Sequence, residues 1–296
     1  MKRFKARKKI NNSIFYIGLF FIVIIISLYL YKNDNIENIL YRLLDNNYKI
    51  TDVDYILKYA LNIDVNKATE VIREENNNDK VEVEVNNDPI IYIYNTHQKE
   101  KYHSNYMNGY NISVGVFEAS KMLKEYLKEY GIEAIVEEDD VESKLHSLNW
   151  KYGYSYKVSR MFLEEAYKNN SSLRYFIDIH RDSSKYEKTT TEINGEKYAR
   201  LLFVIGLDNK DYELNMKMAN KLRQLIEDYN KDLFRGIMKK SGKGVNGIYN
   251  QDFNPNTILI EVGGQYNSIE EVNNTLKVLA KILANYIEDD NYGKEE

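Results

Sequence analysis

The chain has 296 residues, 41 Lys and Arg against 45 Asp and Glu for a formal charge of −4, four histidines and no cysteine. Without cysteine, a disulfide-stapled scaffold and all thiolate chemistry are excluded. The acidic balance becomes −10 once the six basic residues among the first nine are set aside, which argues against a nucleic-acid groove.

Residues 1–13 form a basic tip carrying Lys2, Arg3, Lys5, Arg7, Lys8 and Lys9 and no acid. Residues 14–31 are almost uninterruptedly apolar, and at about 1.5 Å per residue they are just long enough to cross a bilayer core. A cationic flank before such a span keeps the N-terminus in the cytoplasm and sends the remainder outward. The sequence therefore predicts a single-pass cell-membrane anchor with an extracytoplasmic C-terminal domain. Cleavage as a signal peptide is the rival, but Tyr29, Tyr31 and Lys32 stand where a small-x-small site would be needed.

Residues 32–88 read as a helical stalk or linker. Ile36, Ile39, Leu40 and Leu43, then Ile56, Leu57, Ala60 and Leu61, have helical spacing within 36–48 and 53–74. The polar stretch 74–88 marks a boundary, and the alternation Val81-Glu82-Val83-Glu84-Val85 is either an edge strand or extended linker.

From Pro89 strand and helix patterns alternate, predicting an α/β domain over 89–290 built on a mainly parallel twisted sheet flanked by helices, with 291–296 as a tail. Expected strands cover 90–94, 132–137, 174–180 and 258–262; expected helices cover 112–130, 155–168, 213–229 and 269–288. Asn194-Gly195, flanked by segments 189–193 and 197–205, predicts a type I′ hairpin. Residues 239–247 read as a Gly- and Lys-rich loop. Ser268-Ile269-Glu270-Glu271 is a capping box that starts the last helix.

Three of these strands end in chemistry. Ile90 to Tyr94 leads into Thr96-His97-Gln98-Lys99-Glu100, Tyr175 to Ile179 into His180, and Ile258 to Ile260 into Glu261. A catalytic zinc ion takes three protein ligands and keeps one open position. His97, Glu100 and His180 are the ligand candidates, and Glu261 is the carboxylate outside that set, placed to move protons. Asp178 and Asp182 bracket His180, and one of them can orient its imidazole. Taken singly, a His-x-x-Glu is usually a surface pair, a strand-end histidine a satisfied buried residue, and Glu261 a salt-bridge partner of Arg181 or Lys239. The conjunction outweighs these readings, because Asp-Ile-His-Arg-Asp sets four polar side chains into five positions at the end of a buried strand. His103 and His146 have no strand context and read as surface residues or loose substrate contacts.

Tyr94-Asn95-Thr96-His97-Gln98-Lys99-Glu100-Lys101-Tyr102, Phe176-Ile177-Asp178-Ile179-His180-Arg181-Asp182-Ser183, Tyr249-Asn250-Gln251-Asp252 and Leu259-Ile260-Glu261-Val262-Gly263-Gly264 resemble, in order, the signatures of the stage II sporulation protein P family. The resemblance implies a membrane-anchored, zinc-dependent N-acetylmuramoyl-L-alanine amidase with a phosphorylase/hydrolase-like α/β fold. Its substrate would be peptidoglycan during forespore engulfment, and its partners the lytic transglycosylase stage II sporulation protein D and protein M. An additional endopeptidase activity on peptide cross-links is part of the same implication. Carried over by residue, it makes His97 and His180 zinc ligands and Glu261 the catalytic acid/base; in the mechanism expected on that basis, zinc and Arg181 hold the tetrahedral oxyanion. Glu100 is the preferred third ligand and Glu118 the alternative, set back because it falls about six residues inside the expected helix. Asn95 departs from the family, many members of which carry a histidine there. A zinc endopeptidase and a non-catalytic peptidoglycan-binding scaffold remain as rival readings.

Overall fold

The structure is a computed structural model and describes residues 88–292 except 104, 108, 109 and 113. The basic tip, the 14–31 span and the 36–74 helices lie outside the described residues. Among the described residues, no helix is long and apolar enough to cross a membrane.

The core is a six-stranded sheet. Strands β1 (Ile91–Tyr94), β4 (Ala134–Val136), β5 (Tyr175–Asp182), β8 (Leu201–Gly206), β9 (Phe234–Lys240) and β10 (Thr257–Gly264) lie in the order β4-β1-β5-β10-β8-β9. The first four in that order are mutually parallel, while β8 runs antiparallel to β10 and parallel to β9. Two small hairpins stand apart from it, β2 (Asn105–Met107) with β3 (Tyr110–Ile112) and β6 (Thr190–Ile193) with β7 (Glu196–Ala199).

Alternation along the strands explains the layers. In parallel pairing Tyr92 stands beside Phe176 and Tyr94 beside Asp178, so these side chains share a face. Helix α3 (Ser155–Asn169) covers that face through Leu163, which packs with Tyr92, Tyr94 and Phe176. The intervening Ile91, Ile93, Ile177, Ile179, Ile258 and Ile260 are fully buried on the other face. Helices α1 (Val116–Lys128), α5 (Tyr212–Asn230) and α6 (Ile269–Tyr292) pack there, with α6 against both of the others. Two short helices, α2 (Val141–Ser147) and α4 (Tyr186–Thr189), complete the set.

Several local expectations hold. Asn194 and Gly195 have φ of 54° and 86°, the two left-handed conformations that a type I′ turn demands. At α6, the Ser268 backbone donates to Glu271 Oε2 (3.0 Å) and the Glu271 backbone donates to Ser268 Oγ (3.3 Å), closing the capping box.

Other expectations need correction. The helix expected from 112 begins at Val116, because the segment before it turns back as β2 and β3. The strand expected over 197–205 breaks at Arg200, whose guanidinium reaches the carbonyls of Asp232 and Phe234, so that β7 closes the hairpin and β8 enters the sheet. β9 and α2 form where the sequence predicts no element, and β9 runs to Lys240, into the expected Gly- and Lys-rich loop.

Candidate active site

The chain leaves β1 to form β4 on one side and then crosses back to form β5 on the other, which opens a crevice above the carboxyl ends of β1 and β5. His97 and Glu100 stand on the loop that follows β1. His180 lies near the end of β5, paired in register with Glu261 of β10, so the two side chains rise from adjacent strands on the α3 face. Gly263 follows at φ 64°, where a Cβ would come within 2.7 Å of Asn267 Oδ1, and its conformation turns the chain away immediately beyond Glu261.

Asp178 organises the floor. It is fully buried; one oxygen accepts the Thr96 backbone N–H (2.9 Å) and the other the Thr96 hydroxyl (2.7 Å), fastening the β1 loop to β5. The Thr96 hydroxyl also lies 2.9 Å from Ser159 Oγ, which accepts from Asn250. His180 Nε2 is 3.0 Å from Asp178 Oδ1, although off the line of a hydrogen bond, and Nδ1 is 3.4 Å from Glu100 Oε2. The Arg181 backbone donates to that same Glu100 oxygen at 3.0 Å. Of the two acids bracketing His180, Asp178 is therefore its neighbour, while Asp182 pairs with Arg235 at 2.7 Å.

The charges follow from this packing. Burial opposes charge on His180, but Asp178 and Glu100 outweigh it and hold the imidazole well above its ordinary pKa. Burial raises Glu100, yet His180 and the Arg181 N–H bring it below the usual carboxylate value. His97 is lowered, by burial first and by His180 second. Burial, helped by Glu100, Asp182 and Asp178 against the pull of His180, lifts Glu261 from 4.5 to about 7. A carboxyl near neutrality suits a group that must both take and give a proton.

His97 is walled by rings. Tyr152 stacks on it at 5.1 Å with its hydroxyl 2.7 Å from Nδ1, Tyr156 meets it edge-on at 5.7 Å, and His180 stands perpendicular at 5.3 Å. A cleft of about 290 Å³ opens beside it, lined by Lys99, Glu100, Glu142, Tyr152 and Arg181 among others, with Lys99 ion-paired to Glu142 across it.

Two imidazoles and a carboxylate are the donors zinc prefers. Among the described residues, no three His, Asp or Glu side chains are already drawn into a cluster able to hold a metal. The donors fit such an ion nonetheless: His180 Nδ1 and Glu100 Oε2 face each other at 3.4 Å, and beside them Glu261 Oε2 is buried without a hydrogen-bond partner, which is costly unless something polar enters the site.

The profile of the family described as stage II sporulation protein P (SpoIIP) matches residues 32–284. The chain belongs to the stage II sporulation protein P family. The stage II sporulation protein P of Bacillus subtilis (strain 168) is 34% identical over 201 residues, which are 66% of this chain and 50% of that protein. The chain thus spans about half the length of that relative. Solved structures show a looser likeness. The CwlD amidase from Clostridioides difficile, in complex with the GerS lipoprotein, overlays with a TM-score of 0.42 at 15% identity, over 68% of this chain and 97% of that one. Cwp6 from Clostridium difficile gives 0.39 at 15% identity, over 68% and 29%. The N-acetylmuramoyl-L-alanine amidase AmiC2 of Nostoc punctiforme gives 0.33 at 13%, over 67% and 97%.

Within this family member the structure brings His97, Glu100, His180, Arg181 and Glu261 to one edge, while His103 and His146 are exposed. Glu118 does not lie six residues inside its helix as expected: it is the third residue of α1, and its carboxylate accepts the Gly115 N–H at 2.7 Å. Its engagement as a helix cap now distinguishes it from Glu100, which faces His180. Asn95 is structural, donating to the Ile179 carbonyl (2.7 Å) and Ser120 Oγ (3.0 Å). The Tyr249-Asn250-Gln251-Asp252 motif braces the site from behind, through Asn250 to Ser159, Gln251 to the β8 backbone and Asp252 to Arg160. Tyr152 carried no signal in the sequence reading, since it lies in a short 3-10 turn far along the chain from His97.

Proposed function

We propose that this chain is a membrane-anchored, zinc-dependent N-acetylmuramoyl-L-alanine amidase that cuts peptidoglycan during forespore engulfment, acting with stage II sporulation proteins D and M. The observation that carries the reading is the meeting of His97, Glu100, His180 and the unpartnered Glu261 at the carboxyl edge of three adjacent parallel strands. His97, Glu100 and His180 would hold the ion, whose chemistry there is polarisation of the amide carbonyl and activation of water. His180 Nδ1 and Glu100 Oε2 stand 3.4 Å apart, close enough that one ion could be held by both. Asp178 beside the opposite nitrogen supplies the carboxylate–histidine support common around such ions.

Glu261 takes the proton of the attacking water and passes it to the amine that leaves as the N-terminus of the stem peptide. Arg181 steadies Glu100 through its backbone and faces the oxyanion from the cleft, its guanidinium fixed by the Lys101 carbonyl (3.1 Å).

The deciding experiment is mass spectrometry of fragments released from purified sacculi by the full-length chain, with and without chelator. An amidase frees stem peptides with new N-terminal alanine, in a chelator-sensitive way. Cut cross-links with stems still on the glycan would replace this reading by the endopeptidase, and stoichiometric zinc without hydrolysis by the scaffold.

A further inference from the structure

The contacts around His97 single out one residue outside the ligand set, Tyr152. Tyr152 is 62% exposed, so burial contributes little to keeping it where it is. Its backbone is nevertheless held: the Ser155 hydroxyl donates to the Tyr152 carbonyl at 2.6 Å, the Tyr154 N–H donates to the Lys151 carbonyl at 2.9 Å, and Ser155 is the buried first residue of α3. From that fixed turn the ring lies over the His97 imidazole, 18° from parallel, and the hydroxyl reaches Nδ1 at 2.7 Å. Stacking and hydrogen bond together set the rotation of the imidazole. The other rings against His97, Tyr156 and His180, meet it edge-on.

A neutral imidazole carries one proton, and the nitrogen that bears it cannot ligate. We propose that Tyr152 is the positioning residue of His97, its hydroxyl oxygen accepting a hydrogen bond from Nδ1–H so that Nε2 turns its lone pair toward the ion. The proposal rests on the zinc reading above. It gives the two histidines different supports: a buried carboxylate, Asp178, for His180, and a solvent-facing phenol for His97. The opposite arrangement, in which the hydroxyl donates to Nδ1, would place the proton on Nε2 and make Tyr152 a block that zinc has to displace. The two arrangements predict opposite signs for the same substitution.

The test compares the full-length chain with Tyr152→Phe, which keeps the ring and removes the oxygen. Zinc affinity is read by chelator competition, and the His97 protonation pattern by 15N NMR of the imidazole. The expected result is a loss of about 10–100-fold in zinc affinity, the usual effect of removing a ligand's outer support, with an unchanged urea midpoint for the metal-free protein. The unaltered zinc-bound chain should show a proton on Nδ1 of His97. Equal or tighter zinc binding by the variant, or a proton on Nε2 in the unaltered chain, overturns the proposal while leaving the amidase reading in place. Failure of the unaltered chain to bind zinc at all removes both.

Discussion

Glu261→Gln tests the electrostatics of the site apart from its chemistry. In the metal-free protein the Glu261 carboxyl sits at about 7 against an ordinary 4.5, because it is buried and faces Glu100, Asp182 and Asp178. At about 1.36 kcal/mol for each pH unit, that gap is worth roughly 3 kcal/mol. The sign follows from linkage: a carboxyl whose pKa is raised by folding favours the folded state while neutral. Its contribution is complete below about 4.5 and is lost as pH climbs through about 7. Glutamine has no proton to lose, so the variant should escape this decline. Urea unfolding of both proteins with chelator, at pH 4.5 and pH 8, should show the variant gaining on the unaltered chain by about 3 kcal/mol between the two conditions. A stability difference that stays constant across that range would refute the claim that Glu261 is held protonated by its surroundings. With zinc supplied, the same variant should bind the ion yet hydrolyse sacculi about 10²–10⁴-fold more slowly, the usual weight of a lost general acid/base.

Two further predictions address the neighbouring carboxylates and the wall of the sheet. Glu100→Gln should weaken zinc binding in a chelator competition by more than the roughly 10–100-fold that loss of an outer support costs, because a ligand itself is removed, whereas Glu118→Gln should leave zinc affinity nearly intact and cost about 0.5–1 kcal/mol of stability through the weakened cap at Gly115; the reverse ranking would transfer the ligand role to Glu118. Phe176→Ala, which empties a fully buried position between Tyr92, Phe253 and Leu163, should lower unfolding free energy by about 3–5 kcal/mol in urea titration, and a loss below about 1 kcal/mol would mean that α3 does not pack on the sheet as described.

Local pattern alone determined a good deal of this protein. Alternation in Phe176-Ile177-Asp178-Ile179-His180 places the aspartate and histidine on one face whatever the rest of the chain does, because side chains alternate across a strand. Asn194-Gly195 and Ser268 to Glu271 likewise specify their turn and cap through contacts that span no more than four residues. Apolar strands ending in His97, His180 and Glu261 singled out the residues of the candidate site before any pairing was known. Tertiary structure decided the remainder, since it depends on contacts between distant segments that periodicity does not encode. Only the register of β5 with β10 sets Glu261 beside His180, and only the return of 105–112 as a hairpin moves the start of α1 to Val116 and turns Glu118 into a cap. The same holds for Asp178, whose oxygens are claimed by Thr96 from another strand's loop, and for Tyr152, which reaches His97 across 55 residues of chain because α3 packs over β1 and presents its leading turn to the crevice.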